Sequence, residues 1–201
     1  MASEIRVDTV YNESGDSDSG INLGTNDSIK FDIAGSTKWT LNSSGHLVPS
    51  SASQGIVLGA TSDGVANRLD DYEYGTWTAT FTGSTGAPSS AQTATGLYTK
   101  IGRLCTVSVY SAAINTTGAS GNLKVTGLPF TSHSSCQSFG SYISYYIANS
   151  ASNVINHACW IWGGISHIDF YENTDEGAWS TTQISAGSTR YLALSITYET
   201  A

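Results

Sequence analysis

The second half of the chain alternates apolar and polar residues in short segments, the pattern of strands that bury one face. In the segment 76–81, Trp77, Ala79 and Phe81 share one face, and the segment 103–112 alternates in the same way. Further segments of this kind follow, separated by polar and glycine-rich turns. This spacing predicts an all-β head, arranged as a jelly roll or β-sandwich.

The first third of the chain alternates similarly but has few large apolar residues. Ile29, Phe31 and Ile33, for example, alternate with polar residues. A segment with so little to bury cannot offset the entropy of ordering as an isolated monomer, yet its regular alternation argues against disorder. We therefore expect residues 1–68 to form a short β stem that identical copies stabilise in a closed, symmetric assembly.

The stretch 69–77, Leu-Asp-Asp-Tyr-Glu-Tyr-Gly-Thr-Trp, lies between these regions. Because so many adjacent carboxylates cannot all be buried, we expect them on a solvated surface, with the tyrosines covering apolar groups. Gly75 is predicted to turn the backbone before the first strand of the head. We interpret 69–77 as the junction between the stem, 1–68, and the head, 78–201. The alternative is an ordinary loop that enters a single domain.

The composition supports an all-β protein and narrows the possible partners. Few segments are rich in helix-forming residues, only 12% of residues are charged, and the net charge is −8. Because phosphate contacts need clustered Lys and Arg, and the eight in this chain are scattered, we expect no nucleic-acid binding. The opening residues do not resemble a signal peptide, and no apolar run reaches membrane-spanning length, so we expect no membrane insertion.

The cysteines and histidines do not suggest a cofactor. Cys105, Cys136 and Cys159 are odd in number and widely spaced, which provides neither a disulfide framework nor a zinc pattern. We expect them to be core thiols of a protein made in a reducing cytoplasm. The four histidines show no short metal-ligand spacing. The sequence therefore predicts no metal and no cofactor.

Several carboxylates in the C-terminal third invite an enzymatic interpretation. Asp169, Glu172, Asp175 and Glu176 lie close in sequence, and paired carboxylates can cleave glycosidic bonds. The segment 172–177 is, however, typical of a solvated polar loop, and the sequence has no Gly-x-Ser-x-Gly nucleophile elbow. We expect no catalytic residues, and an enzyme that cleaves polysaccharide is the less favoured alternative.

Aromatic residues are concentrated in the segment 155–180. Trp160 and Trp162 point to the same side of a predicted strand, opposite Cys159 and Ile161. If the cysteine and isoleucine face the core, the indoles form an exposed platform for a sugar ring or a partner subunit. If the indoles face inward, they are core, which is the commoner place for such residues.

An exposed aromatic platform would suit a glycan. Sugar rings present apolar C–H faces to aromatic rings, while their hydroxyls bond to polar side chains. Such a site binds weakly in one subunit, and several copies in one assembly raise the avidity. The candidate glycan-binding residues are Trp160, Trp162, His167, Tyr171 and Trp179.

Four segments resemble bacteriophage tail fibres. The segment 39–49, WTLNSSGHLVP, is similar to a strand, turn and proline unit that recurs along trimeric fibre stems. The segment 67–78, NRLDDYEYGTWT, is similar to the junction before the globular head in fibre-like proteins of marine and cyanobacterial phages. Segments 96–103 and 125–130 resemble head motifs of the same family. The C-terminal third shows no such similarity, as expected if the head diversifies with its ligand.

This resemblance implies a homotrimeric virion protein, either a tail fibre or a short tailspike, that is assembled in the host cytoplasm. The stem would attach to other virion proteins of the tail or capsid, and the head would bind a host-surface polysaccharide. The main alternative is a capsid decoration or head-fibre protein that is built from the same modules and binds no receptor.

Overall fold

The segments with alternating apolar and polar residues form β-strands. The computed structural model describes residues 7–11, 19–24, 27–59, 61–62, 64, 67–149, 152–175 and 177–201. These residues form strands joined by turns and bends, with no α-helix among them, which confirms the all-β prediction. None of them belongs to a helix that is long and apolar enough to cross a membrane. The chain divides into two units, residues 1–71 and 72–201.

The first unit contains an antiparallel sheet of five strands in sequential order. A separate two-stranded ribbon follows it, formed by the last two strands of the unit. The strands of this unit are β1 (Thr9–Tyr11), β2 (Gly20–Asn22), β3 (Ile29–Ile33), β4 (Ser36–Leu41), β5 (Leu47–Pro49), β6 (Ile56–Val57) and β7 (Arg68–Leu69).

The five-stranded sheet of the first unit has one apolar face. The strand register aligns Val10, Ile21, Phe31 and Trp39 in one row across β1 to β4. The row on the opposite face is polar and consists of Thr9, Asn22, Lys30 and Thr40. None of the described residues between 7 and 71 is buried. This unit therefore has no core of its own among the residues that the structure describes.

The second unit is built around a closed antiparallel barrel. The strands of this unit are β8 (Tyr72–Gly83), β9 (Gln92–Ile101), β10 (Leu104–Tyr110), β11 (Leu123–Thr126), β12 (Gln137–Tyr145), β13 (Ala148–Asn149), β14 (Val154–Trp162), β15 (His167–Thr174), β16 (Ser180–Thr181), β17 (Gln183–Ile184) and β18 (Tyr191–Glu199). Eight of them follow the order β11-β8-β9-β10-β18-β12-β14-β15, and β15 pairs with β11 to close the ring. β16 pairs with β15, and β13 with β17.

The barrel consists of two Greek keys in series. β8, β9 and β10 are consecutive neighbours, and β11 returns to pair with β8. β12, β14 and β15 repeat this arrangement, and β18 returns to pair with β12. The first three strands of each key are antiparallel neighbours and the fourth lies beside the first, which is the Greek-key pattern. The strands close into one ring, so the predicted jelly roll or β-sandwich is not confirmed in that form.

Alternate side chains of the barrel strands fill its interior. Trp77, Ala79 and Phe81 are all buried on one face of β8, as the alternation predicts. The largest fully buried side chains include Tyr198 of β18 and Phe170 of β15. The hydroxyl of Tyr198 is not left unpaired, because it donates a hydrogen bond to the carbonyl oxygen of Phe130 at 3.0 Å. The barrel interior is therefore the hydrophobic core of this unit.

The junction differs from its prediction in two respects. Glu73 is only partly exposed, on the inner face of β8 opposite Lys100, whereas Tyr72 and Tyr74 are exposed on the outer face. Gly75 does not turn the chain, because β8 runs straight through it. A Cβ on Gly75 would lie 2.9 Å from the Tyr98 ring, so the glycine makes room for that ring.

All three thiols are expected to resist alkylation in the folded protein. Cys105, Cys136 and Cys159 are buried and free, which confirms their prediction as core thiols. Burial raises the pKa of the Cys159 thiol to about 12, and only the thiolate is nucleophilic. Mass spectrometry after iodoacetamide treatment at pH 8 should find no label on the native protein and three labels after denaturation. Rapid labelling of native Cys159 would contradict the inward orientation of its side chain.

Candidate functional site

The two tryptophans of β14 lie on the outer face of the barrel. Cys159 and Ile161 are fully buried, so the alternate positions Trp160 and Trp162 point away from the core. Of the two arrangements that the sequence allowed, the core arrangement is therefore wrong. The indoles are nevertheless only partly exposed, because they pack against each other and against a third indole.

Three indole rings and one phenol ring form a single cluster, which we call the tryptophan platform: Trp160, Trp162, Trp179 and Tyr171. The ring centroids of Trp160 and Trp162 are 5.0 Å apart, with an interplanar angle of 27°. Trp179 stacks on Trp160 at 5.1 Å and 30°. Trp162 Nε1 donates a hydrogen bond to the Tyr171 hydroxyl at 3.1 Å. The rings thus hold one another in place.

Two neighbouring strands and one irregular segment place these rings together. Trp160 and Trp162 occupy alternate positions of β14, and Tyr171 lies on the outer face of β15. Trp179 comes from the segment between β15 and β16 and is the most exposed ring, with 52% of its surface accessible. It is therefore the ring of the platform that is most accessible to a ligand.

A shallow depression of about 180 Å³ adjoins the platform. Its lining residues are Asn156, Ala158, Trp160, Tyr171, Glu172, Asn173 and Trp179. Aromatic walls with amide groups beside them offer both stacking and hydrogen bonds, the combination that sugar rings require. Trp160 Nε1 is buried and has no hydrogen-bond partner among the described residues. An unsatisfied buried donor is costly, and such groups often lie at sites that are completed by water or ligand.

His167 belongs to a different group, which we call the polar trio: Lys124, His167 and Asp169. Lys124 Nζ lies 3.2 Å from Asp169 Oδ1 and 3.0 Å from His167 Nε2. His167 Nε2 is 3.5 Å from Asp169 Oδ2. The trio lies next to the platform, because Asp169 of β15 pairs directly with Trp160 of β14. The structure therefore joins four of the five candidate residues in one ring cluster and places the fifth, His167, beside it.

The trio keeps Asp169 ionised at neutral pH. Burial alone would raise the pKa of Asp169, but hydrogen bonds and charge from His167 and Lys124 outweigh it and hold the pKa below its ordinary value. The stability that this lowered pKa contributes is present above the ordinary pKa of an aspartate. It is lost as the pH falls through the lowered pKa in the folded state. At neutral pH the Lys124–Asp169 pair is therefore balanced in charge.

The carboxylates considered for catalysis are not gathered in one place. Asp169 faces outward, whereas Glu172, three residues later on the same strand, is buried on the inner side. Asp175 is exposed beyond β15, and Glu176 lies outside the described residues. Within the described ranges, no group of three or more His, Cys, Asp or Glu side chains is placed to hold a metal ion.

Neither the role of Lys124 nor a polar cluster inside the barrel is evident from the sequence. The Tyr142 hydroxyl lies 2.7 Å from His157 Nδ1 and 3.2 Å from Thr182 Oγ1. Burial raises the pKa of Tyr142 to about 12. Lys124 is 43 residues from His167 in sequence. Such partners meet only through strand pairing between distant segments, so no local pattern could have revealed them.

No known protein family matches the sequence, and searches of characterised proteins and of solved structures find no significant similarity to this chain.

Proposed function

We propose that the barrel binds a glycan through the tryptophan platform, as the receptor-binding head of a phage tail fibre or short tailspike. The observation that supports glycan binding is the half-exposed ring of Trp179, stacked on two further indoles beside polar side chains. Large apolar rings on a surface are commonly binding sites, and sugars combine an apolar ring face with a hydroxyl rim. The similarity of the segments 39–49 and 67–78 to phage fibres supports the virion context.

We further propose that the first unit assembles as a homotrimeric stem that attaches to other virion proteins. The supporting observation is the apolar row Val10, Ile21, Phe31 and Trp39 in a unit without a buried residue among those described. A single-layer sheet must cover such a face to be stable in water. Identical copies are the partners that every chain has at hand, and closed cyclic symmetry lets them cover the face for one another.

Replacing Trp179 with alanine is expected to weaken binding to host cells or their extracted polysaccharide by about tenfold or more, as for a hot-spot aromatic residue. Because Trp179 lies outside the barrel core, we expect its loss to cost less than about 1 kcal/mol of stability. Pull-down of the full chain with host cells measures binding, and thermal melting measures stability.

Tyr110→Ala provides the matched control. Tyr110 is 64% exposed on β10, which is not adjacent to β14 in the ring. The substitution Tyr110→Ala should leave both glycan binding and the melting temperature unchanged. If Trp179→Ala and Tyr110→Ala bind as well as the unaltered chain, the platform is not the receptor site. If the unaltered chain binds neither host cells nor their polysaccharide, a decoration protein without receptor binding becomes the better interpretation. Release of sugar fragments on incubation would instead favour an enzyme.

A further inference from the structure

The polar trio lies in line with the tryptophan platform. Trp160 pairs with Asp169, and Asp169 pairs with Lys124, so the three side chains form one row across β14, β15 and β11. They all point outward, because their neighbours Ile161, Ile168 and Val125 are fully buried. Adjacent strands are about 4.8 Å apart, so a sugar chain that stacks at the platform can extend over the trio.

The trio is accessible to such a ligand. The side chains of Lys124 and His167 are each 27% exposed, and that of Asp169 is 15% exposed. They therefore lie at the surface while still holding one another in a defined geometry. A ligand can reach their polar atoms without displacing the barrel strands.

We propose that this trio, set beside the platform, selects neutral glycans over anionic ones; the inference rests on the proposed glycan function. Its basis is that the one cation in the row already has an anion beside it. Lys124 Nζ lies 3.2 Å from Asp169 Oδ1, so the pair adds no net charge to the site.

A balanced ion pair is well suited to sugar hydroxyls. Lys124 Nζ carries three N–H donors and faces two partners within the trio, Asp169 Oδ1 and His167 Nε2. The ammonium of Lys124 then has one N–H left for a ligand, and the Asp169 carboxylate has lone pairs left to accept. Because a hydroxyl both donates and accepts, neighbouring hydroxyls of one sugar can use both partners.

An anionic group would fit this row poorly. A sulfate or carboxylate would have to compete with Asp169 for Lys124, at a short distance from the Asp169 charge. It would also approach a chain with a net charge of −8. Repulsion of this kind between partly exposed charges is expected to weaken binding on the order of tenfold at low salt, and less as salt screens it.

The test uses the full chain and pairs of polysaccharides that share a backbone. Dextran, mannan and galactan are immobilised beside their chemically sulfated forms, and binding is compared within each pair at low salt. The unaltered chain should bind at least one neutral polymer, and should bind its sulfated form on the order of tenfold more weakly.

Asp169→Asn tests whether the trio sets this preference. The exchange keeps the shape of the side chain and leaves the Lys124 charge uncompensated, so the ratio of sulfated to neutral binding should rise on the order of tenfold. Lys124→Met should shift the ratio in the opposite direction, which keeps the test decisive if Asp169→Asn folds poorly. Glu199→Gln is the matched control, because it removes one negative charge from an exposed ion pair with Arg103 elsewhere on the barrel.

The outcomes separate this inference from the proposed function. If the unaltered chain binds sulfated polymers as tightly as their neutral parents, or if Asp169→Asn changes the ratio no more than Glu199→Gln does, the inference is overturned. The glycan function then stands, provided that Trp179→Ala still weakens binding by about tenfold or more. If the unaltered chain binds none of these polymers, this inference fails, and the glycan function fails with it only if the chain also binds neither host cells nor their polysaccharide.

Discussion

Replacing Phe170 with alanine is expected to lower the free energy of unfolding of the barrel by about 3–5 kcal/mol. Phe170 is 1% exposed, and its ring contacts Tyr142 edge-on at a centroid distance of 4.9 Å. The substitution removes buried apolar surface and leaves a cavity that close-packed neighbours cannot fill. Urea denaturation monitored by tryptophan fluorescence would measure the loss as a lower midpoint at an unchanged slope.

Phe139→Ala is the matched control for Phe170→Ala, since it removes the same side chain from the outer face of the barrel. Phe139 is 72% exposed on β12, and its main ring contact is Trp160 at 6.0 Å. Its loss should cost less than about 1 kcal/mol, as is usual for surface positions. Equal losses for the two variants would contradict the inner and outer faces assigned to the barrel strands.

Dividing the chain between Asp71 and Tyr72 is expected to have the largest effect, because only the second part should fold at low concentration. Among the described residues, every buried apolar side chain belongs to residues 72–201. That part should show β-type circular dichroism and one cooperative melting transition. Residues 1–71 should be unfolded when dilute and should gain β-structure only at concentrations where they associate.

Circular dichroism and sedimentation across a concentration series would test this division. A shorter piece that divides the barrel, such as residues 72–126, serves as the control and should not fold, since it leaves the ring open. Two results would contradict the expectation. One is a folded, monomeric 1–71 at low concentration, and the other is a molten or insoluble 72–201 under conditions where the full chain is soluble.

The inner and outer faces of single strands could be predicted from the sequence, whereas the closure of the ring could not. Alternation alone predicts that Trp77, Ala79 and Phe81 share a face, because successive side chains of a strand point in opposite directions. Closure depends on β11, a short strand that pairs with both β8 and β15. A strand of four residues is too short to show a clear alternation of apolar and polar positions, and its partner strands are distant in sequence.

For the candidate site, too, the sequence predicts which residues are involved but not which way their side chains point. The concentration of aromatic residues in the segment 155–180 identified the platform rings, but their direction depended on which side of β14 faces the core. Periodicity alone assigns equal weight to Cys159 with Ile161 and to Trp160 with Trp162. The prediction for the junction was wrong for a related reason. Glu73 lies on the inner face of β8, where it is paired with Lys100 of β9, a residue that is distant in sequence.

The closed ring has a consequence for how copies of this protein can associate through their backbones. Each of the eight strands in the ring is paired with a neighbour on both sides for at least part of its length, and the longest one-sided stretch is residues 72–79 of β8, which pair only with β9. The five-stranded sheet of the first unit, in contrast, ends at β1 and β5 within the described residues. Ring closure therefore shortens the strand edge that the barrel offers to another chain, whereas the sheet of the first unit, which we expect to assemble with identical copies, keeps two edges.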